Sequence, residues 1–138
     1  MPDSNIVVQD GITPRKNVVL VVDDQSAIRS AVSDILDMEG YEVLEAGTGV
    51  EALAVFKERQ DEIGLVLLDS QMPVMGGEET LNRLLPMAPD IRVIVCSGYG
   101  QTEVNGWIKK GAEGQIGFLP KPYDFMSLMD AVNAVMRP

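Results

Sequence analysis

Four predicted strands are each followed directly by side chains that could bind a cation or a phosphoryl group. Asp23 and Asp24 follow the first strand, Asp69 ends the third, Ser97 follows the fourth, and Lys121 follows the fifth. In open α/β sheets, ligands bind outside the carboxyl ends of the strands. We therefore expect these five side chains to meet at one edge of the sheet.

The three carboxylates at that edge favour a divalent cation. Two carboxylates about 4 Å apart repel each other by about 4 kcal/mol at an effective dielectric near 20, whereas a dication at that distance attracts each by about 8 kcal/mol. The chain has no histidine, and oxygen ligands indicate Mg²⁺, with Mn²⁺ as a substitute. Mg²⁺ usually also contacts phosphate oxygens. A lysine, a hydroxyl and a carboxylate nucleophile beside the metal are therefore typical of phosphoryl transfer to the carboxylate, which gives an acyl phosphate.

Alternating strand and helix patterns must position these residues. The apolar, β-branched run 18–22 is typical of a strand buried on both faces. Similar runs predict further strands at 41–46, 65–68, 91–96 and 117–119. Helical spacing of apolar residues predicts the intervening helices, with Thr48 and Asp124 as caps, at about 28–36, 49–56, 78–85, 102–110 and 125–136.

This order predicts the α/β class. Parallel strands need crossover connections, which are right-handed, so we expect a doubly wound five-stranded parallel sheet with helices on both faces. Pro86 is expected to end the third helix, and Phe125 is expected on the inner stripe of the last one. The polar residues 1–16 are interpreted as an N-terminal tail or linker, and residues 17–138 as the domain.

Composition excludes several classes of protein. The 138 residues include 11 Lys and Arg against 21 Asp and Glu, a net charge of −10, which argues against direct nucleic-acid binding. No apolar run approaches about 18 residues, so we expect no membrane insertion, and the first residues lack the pattern of a signal peptide. A single cysteine excludes a disulfide scaffold, and the expected location is cytoplasmic.

Five segments, in order, resemble the receiver domain of two-component response regulators. They are Val21-Val22-Asp23-Asp24, Leu68-Asp69-Ser70-Gln71-Met72-Pro73, Gly76-Gly77, Cys96-Ser97-Gly98-Tyr99 and Phe118-Leu119-Pro120-Lys121-Pro122. The resemblance covers about residues 17–138 and implies a flavodoxin-like fold. The segments around Gly77 and Ser97 are most similar to receivers of hybrid sensor histidine kinases.

The resemblance implies a role for each residue that matches the family's acidic site. Asp69 matches the phosphoacceptor. Asp23 and Asp24 match the acidic pair that holds Mg²⁺ together with Asp69, and Gln71 stands where the family gives the metal a backbone carbonyl.

The same resemblance implies a set of switch residues. Ser97 matches the hydroxyl that turns toward the phosphoryl oxygen, and Lys121 matches the lysine that pairs with the phosphoryl group. Phe118 matches the switch aromatic, although it lacks the hydroxyl of a Tyr, so switching would depend on ring packing. The peptide bond before Pro122 is expected to be cis, which occurs in about 5–6% of X–Pro bonds.

The implied partners are proteins. The phosphoryl donor would be a sensor histidine kinase or a histidine phosphotransfer protein. A downstream protein would bind the face formed by the predicted helix at 102–110, the fifth strand and the last helix, where Trp107 either contacts that partner or packs in the core. The chain would be a switch rather than a turnover enzyme, either as a stand-alone regulator or as a module of a hybrid kinase.

Two other functions stay open. The first is a receiver-like interaction module that is never phosphorylated. The second is a Mg²⁺-dependent phosphohydrolase with an aspartyl-phosphate intermediate. Enzymes of the haloacid-dehalogenase type carry a second Asp two residues after the nucleophile, and this chain has Gln71 there.

Overall fold

The structure is a computed structural model that describes residues 17–98, 104–107 and 115–136. Within these residues, five strands form one sheet: β1 (Val18–Val22), β2 (Glu42–Ala46), β3 (Ile63–Asp69), β4 (Arg92–Ser97) and β5 (Ile116–Pro120). Four helices accompany them: α1 (Ser26–Met38), α2 (Gly49–Arg59), α3 (Gly77–Met87) and α4 (Phe125–Met136). All neighbouring strands are parallel, in the order β2-β1-β3-β4-β5, so the predicted doubly wound α/β fold is confirmed.

Both faces of the sheet are covered, which explains why β1 is apolar at every position. Val18, Leu20 and Val22 belong to one buried cluster, whereas Val19 and Val21 belong to another on the opposite face. Residues of α2 and α3 complete the first cluster, and residues of α1 and α4 complete the second. Because successive side chains of a strand point to opposite faces, a doubly covered strand needs apolar residues throughout.

The strand order places the polar strand ends side by side. β1 pairs with β2 on one side and with β3 on the other, and β4 lies next to β3. Crevices for ligands form where the order of an open sheet reverses, which here is between the ends of β1 and β3. Asp23 and Asp69 flank that crevice, and Ser97 ends the neighbouring strand β4.

The predicted helix caps are also present. The Thr48 side chain accepts a hydrogen bond from the backbone N–H of Glu51 at 3.0 Å. The Asp124 carboxylate accepts one from the backbone N–H of Ser127 at 2.8 Å. Gly40 follows α1 with a φ of 96°, a left-handed conformation that glycine adopts without a steric penalty.

Two expectations about the helices are wrong. Pro86 does not end α3, which continues to Met87; in the last turn a proline costs only one intrahelical hydrogen bond. Phe125 does not belong to the inner stripe of α4, because it lies in the first turn and is 44% exposed, whereas Leu128 and Val132 are buried.

Other expectations fall wholly or partly outside the described residues. These are the tail at 1–16 and most of the predicted helix at 102–110, of which only 104–107 are described. Among the described residues, no helix is long and apolar enough to cross a membrane.

Candidate functional site

Three carboxylates converge at the carboxyl end of the sheet. Oxygen atoms of Asp23, Asp24 and Asp69 all lie within 4.8 Å of one another. Asp23 and Asp69 are each only 4% exposed, whereas Asp24 is exposed to solvent. The cluster therefore concentrates negative charge in a pocket that is open on the side of Asp24.

One cation bridges the two buried carboxylates. Lys121 Nζ lies 3.2 Å from Asp23 Oδ2 and 3.1 Å from Asp69 Oδ1. The backbone N–H of Lys121 donates to the carbonyl of Ser97 at 2.8 Å, which fixes this residue beyond the end of β5. The Lys121–Pro122 peptide bond is cis, as expected. The fold thus brings Lys121 to an aspartate 98 positions away in the sequence.

Burial and neighbouring charges together raise the pKa of both Asp69 and Lys121. Burial raises the pKa of Asp69, and repulsion from Asp23 adds to it; the backbone N–H of Gln71, at 3.3 Å from Asp69 Oδ1, and the Lys121 ammonium only partly oppose the rise. For Lys121, burial lowers the pKa, but the bonds to Asp69 and the charge of Asp23 outweigh it and raise the pKa overall. The lysine therefore stays charged, and a cation is favourable beside Asp69.

Backbone and side-chain bonds hold Asp23 in place at the end of β1. Its N–H donates to the carbonyl of Ala46 at 3.1 Å, and its carboxylate accepts from the N–H of Gln25 at 2.9 Å. Arg29 donates to the main-chain carbonyl of Asp23 at 2.7 Å and pairs with Glu45 at 3.2 Å. The guanidinium group therefore binds the main chain of Asp23 and the Glu45 carboxylate.

The donor set fits a hard dication. Three carboxylates face one ammonium, so the cluster keeps an excess of two negative charges when all four groups are ionised. The nearby sulfur offers no thiolate, because burial raises the pKa of Cys96 to about 12. Oxygen ligands without imidazole or thiolate suit Mg²⁺.

Ser97 makes a contact that the sequence analysis missed. Its side chain is fully buried, and Ser70 Oγ donates to Ser97 Oγ at 2.8 Å. Asp69 pairs with Cys96 across β3 and β4, so the residue after each comes to lie side by side. The strand ends alone could not reveal this pair, because it depends on the register of β3 against β4.

A close approach of two backbones shapes the loop after Asp69. A Cβ atom at Gly77 would lie 2.6 Å from the carbonyl oxygen of Asp69 and 2.7 Å from the Cα of Ser70. Only glycine allows α3 to begin this close to the end of β3. The N–H of Gly77 donates to the carbonyl of Ser70 at 3.1 Å, so the loop closes tightly beside the site.

The two aromatic residues singled out from the sequence pack into the protein. Phe118 and Trp107 are partly buried, and both pack against the cluster that includes Val93 and Val104. For Trp107, this supports the interpretation as a core residue.

The structure brings together four of the expected site residues, Asp23, Asp24, Asp69 and Lys121. The backbone N–H of Gln71 donates to the carboxylate of Asp69, and the Ser97 hydroxyl accepts a hydrogen bond from Ser70. Phe118 is not among them; it is partly buried and packs against the core.

Comparison with known proteins gives matches that cover most of this chain. The family model of the response regulator receiver domain matches residues 19–133. Sporulation initiation phosphotransferase F of Bacillus subtilis is 39% identical, over 83% of this chain and 90% of its own length. The sensor kinase CckA of Brucella abortus is 36% identical over 86% of this chain, which spans only 12% of that kinase.

A solved structure matches the fold as well. It is the CheX–CheY–BeF₃–Mg²⁺ complex from Borrelia burgdorferi, with a TM-score of 0.80 and 28% identity over 88% of this chain and 90% of that chain.

Proposed function

Because the chain belongs to the response regulator receiver family of two-component signalling, we propose that Asp69 accepts a phosphoryl group from a histidine of a sensor kinase or of a histidine phosphotransfer protein. The observation that carries this proposal is the position of the buried Asp69 carboxylate, 3.1 Å from the Lys121 ammonium and within 4.8 Å of two further carboxylates. One relative is named a phosphotransferase and another is named a sensor kinase, and both names support this class of donor.

The chemistry follows from the two oxygens of Asp69. Lys121 and the N–H of Gln71 both bind Oδ1, which leaves Oδ2 as the candidate nucleophile. Oδ2 attacks phosphorus, the P–N bond of the phosphohistidine breaks, and the imidazole leaves with the electron pair and is neutral after protonation. The product is an acyl phosphate, whose oxygens Lys121 is positioned to pair with.

A divalent metal belongs to the same proposal. Asp23, Asp24 and Asp69, with the main-chain carbonyl of Gln71, would hold Mg²⁺, or Mn²⁺ in its place. When bound, the metal neutralises charge on the transferring phosphoryl group. Without it, the acidic residues repel a phosphoryl group, so we expect transfer to require the metal.

Phosphorylation would then act as a switch. Ser97 would turn toward the phosphoryl group, and Phe118 would repack, which changes the face around β5 and α4 that a downstream protein binds. In this proposal the receiver comprises residues 17–138 after an N-terminal tail or linker, acts in the cytoplasm, and is a switch rather than a turnover enzyme. It acts alone or as a module of a hybrid kinase.

Intact-protein mass spectrometry tests the proposal. The wild type is incubated with acetyl phosphate with and without Mg²⁺, beside Asp69→Asn and Asp61→Asn. Asp61 precedes β3 at the opposite end of the sheet and is exposed, so it is a matched control. We expect one added phosphoryl group on the wild type and on Asp61→Asn, only with Mg²⁺, and none on Asp69→Asn.

Two results would overturn this function. No added mass on the wild type, under conditions that label a control receiver, would favour an interaction module that is never phosphorylated. Multiple turnover of a small phosphate ester that is lost in Asp69→Asn would indicate a phosphohydrolase.

A further inference from the structure

We infer that Ser70 is a positioning residue that holds the Ser97 hydroxyl in its resting orientation and thereby opposes the binding of a phosphoryl group at Asp69. The inference rests on the proposed function, because it concerns the hydroxyl that would meet the phosphoryl oxygen. Ser70 directly follows Asp69 in the sequence, and the proposed function gives Ser70 no other role in the site.

The two hydroxyls form a buried pair. Their oxygens are 2.8 Å apart, Ser97 is fully buried, and Ser70 is 6% exposed. A buried hydroxyl that loses its partner is disfavoured, because little water can replace the lost hydrogen bond. Each serine therefore stabilises the orientation of the other.

The backbones on both sides of this pair are fixed. The N–H of Ser70 donates to the carbonyl of Cys96 at 3.0 Å, and the carbonyl of Ser70 accepts from Gly77 at 3.1 Å. The carbonyl of Ser97 accepts from the N–H of Lys121 at 2.8 Å. These bonds hold the main chain at both serines, so rotation of a side chain is the change in this contact that breaks none of them.

The bond to Ser70 directs the Ser97 hydroxyl away from the carboxylate of Asp69. Asp69 is the last residue of β3, and Ser70 follows it and still bonds to the neighbouring strand through its N–H on Cys96. Successive side chains along such an extended segment leave toward opposite faces. Leu67 and Leu68, just before Asp69, show this alternation, since they belong to the two different buried clusters. To reach a phosphoryl group on Asp69, the Ser97 hydroxyl must turn away from Ser70. The Ser70 hydroxyl then stays buried without that partner.

Removal of the Ser70 hydroxyl should therefore make the phosphorylated state easier to reach. A net hydrogen bond of the usual strength corresponds to a change in affinity of about threefold to tenfold. We expect Ser70→Ala to bind beryllium fluoride, a phosphoryl analogue, more tightly than the wild type by about this factor in the presence of Mg²⁺.

The experiment is a double-mutant cycle on beryllium fluoride affinity. It compares the wild type, Ser70→Ala, Ser97→Ala and the double variant, each at saturating Mg²⁺. The gain from Ser70→Ala should vanish in the Ser97→Ala background, where no hydroxyl remains to be released. Ser33→Ala is the matched control, because it removes a serine hydroxyl that bonds Glu45 on the surface at 3.0 Å; it should bind as the wild type does.

A second measurement needs neither metal nor phosphoryl analogue. In thermal unfolding of the metal-free protein, Ser70→Ala should lower the midpoint in the wild-type background and lower it less in the Ser97→Ala background, because the two changes remove the same bond. A structural role of Ser70 that does not involve Ser97 would lower both midpoints equally.

The possible results separate this inference from the proposed function. If the wild type binds beryllium fluoride and Ser70→Ala binds it equally or more weakly, the inference is wrong and the proposed function stands. An equal gain in the Ser97→Ala background also overturns the inference. If the wild type binds no beryllium fluoride with Mg²⁺, the proposed function fails as well.

Discussion

The substitution Lys121→Met removes the only cation that the described structure places between the two buried carboxylates. Methionine has a similar length and no charge. In the wild type, Lys121 Nζ lies 3.2 Å from Asp23 and 3.1 Å from Asp69. After the substitution, both carboxylates stay in a pocket where each residue is only 4% exposed. We expect the variant to be less stable than the wild type when no divalent metal is present.

The size of the effect follows from the distances. At an effective dielectric near 20, each contact with Lys121 corresponds to an attraction of about 5 kcal/mol. Carboxylate oxygens at the outer limit of 4.8 Å repel by about 3.5 kcal/mol, and closer ones repel more. Desolvation of the ammonium offsets most of the attraction, and the loss of one partner from a fully buried ion pair costs about 3–5 kcal/mol. Because the Lys121 side chain is 22% exposed, we expect a smaller loss, about 2–3 kcal/mol.

Thermal unfolding measures this loss. For a domain of this size, about 2–3 kcal/mol corresponds to a decrease of about 8 °C in the midpoint, measured in EDTA. Addition of about 10 mM Mg²⁺ should raise the midpoint of the variant more than that of the wild type, because the ammonium no longer repels the metal. Lys57→Met, which removes an exposed lysine from α2, is the matched control and should unfold close to the wild type.

A clear result would refute this reasoning. If Lys121→Met and Lys57→Met unfold at the same temperature in EDTA, the two short contacts of Lys121 contribute nothing to stability. If Mg²⁺ stabilises Lys121→Met less than the wild type, the lysine does not compete with a metal for the same carboxylates.

Two further predictions concern Mg²⁺ and pH. Asp24→Ala should bind Mg²⁺ at least about tenfold more weakly than the wild type, whose dissociation constant we expect in the millimolar range; an unchanged calorimetric titration would contradict the assignment of Asp24 as a ligand. Asp124→Ala should lower the unfolding midpoint at neutral pH, because the bond from the N–H of Ser127 lowers the pKa of Asp124. Since that pKa is lower in the folded state, the stabilisation is present above the unfolded pKa of about 3.9 and is lost as the pH falls through the folded pKa. A difference in unfolding midpoint between the variant and the wild type that persists at the lowest pH would contradict this prediction.

Much of the fold could be predicted because the sequence patterns have a simple physical cause. β1 is apolar at all five positions since helices cover both faces of the sheet. Asp23, Asp69 and Lys121 could be assigned to one site because the ends of parallel strands share an edge. The resemblance to the receiver family added the expectation that Asp69 is the phosphoacceptor, which residue spacing alone does not give.

The missed or wrong details depend on tertiary contacts. The Ser70–Ser97 bond requires the register of β3 against β4, which no local pattern contains. Pro86 was expected to end α3, but a proline in the last turn removes too little to stop a helix that packs through Leu84. Phe125 follows the helical spacing of α4, yet it is the first residue of the helix and is 44% exposed.

The central claim is that the ends of β1 and β3 form one pocket that holds a dication beside Asp69. Paramagnetic broadening by trace Mn²⁺ in the nuclear magnetic resonance spectrum of the labelled protein tests it most directly. We predict that the backbone amide signals of Asp23, Asp24 and Asp69 broaden first, whereas those of Asp61 and Asp90, at the opposite end of the sheet, stay sharp. Broadening that begins at Asp61 or Asp90, or that affects all acidic residues alike, would contradict the account.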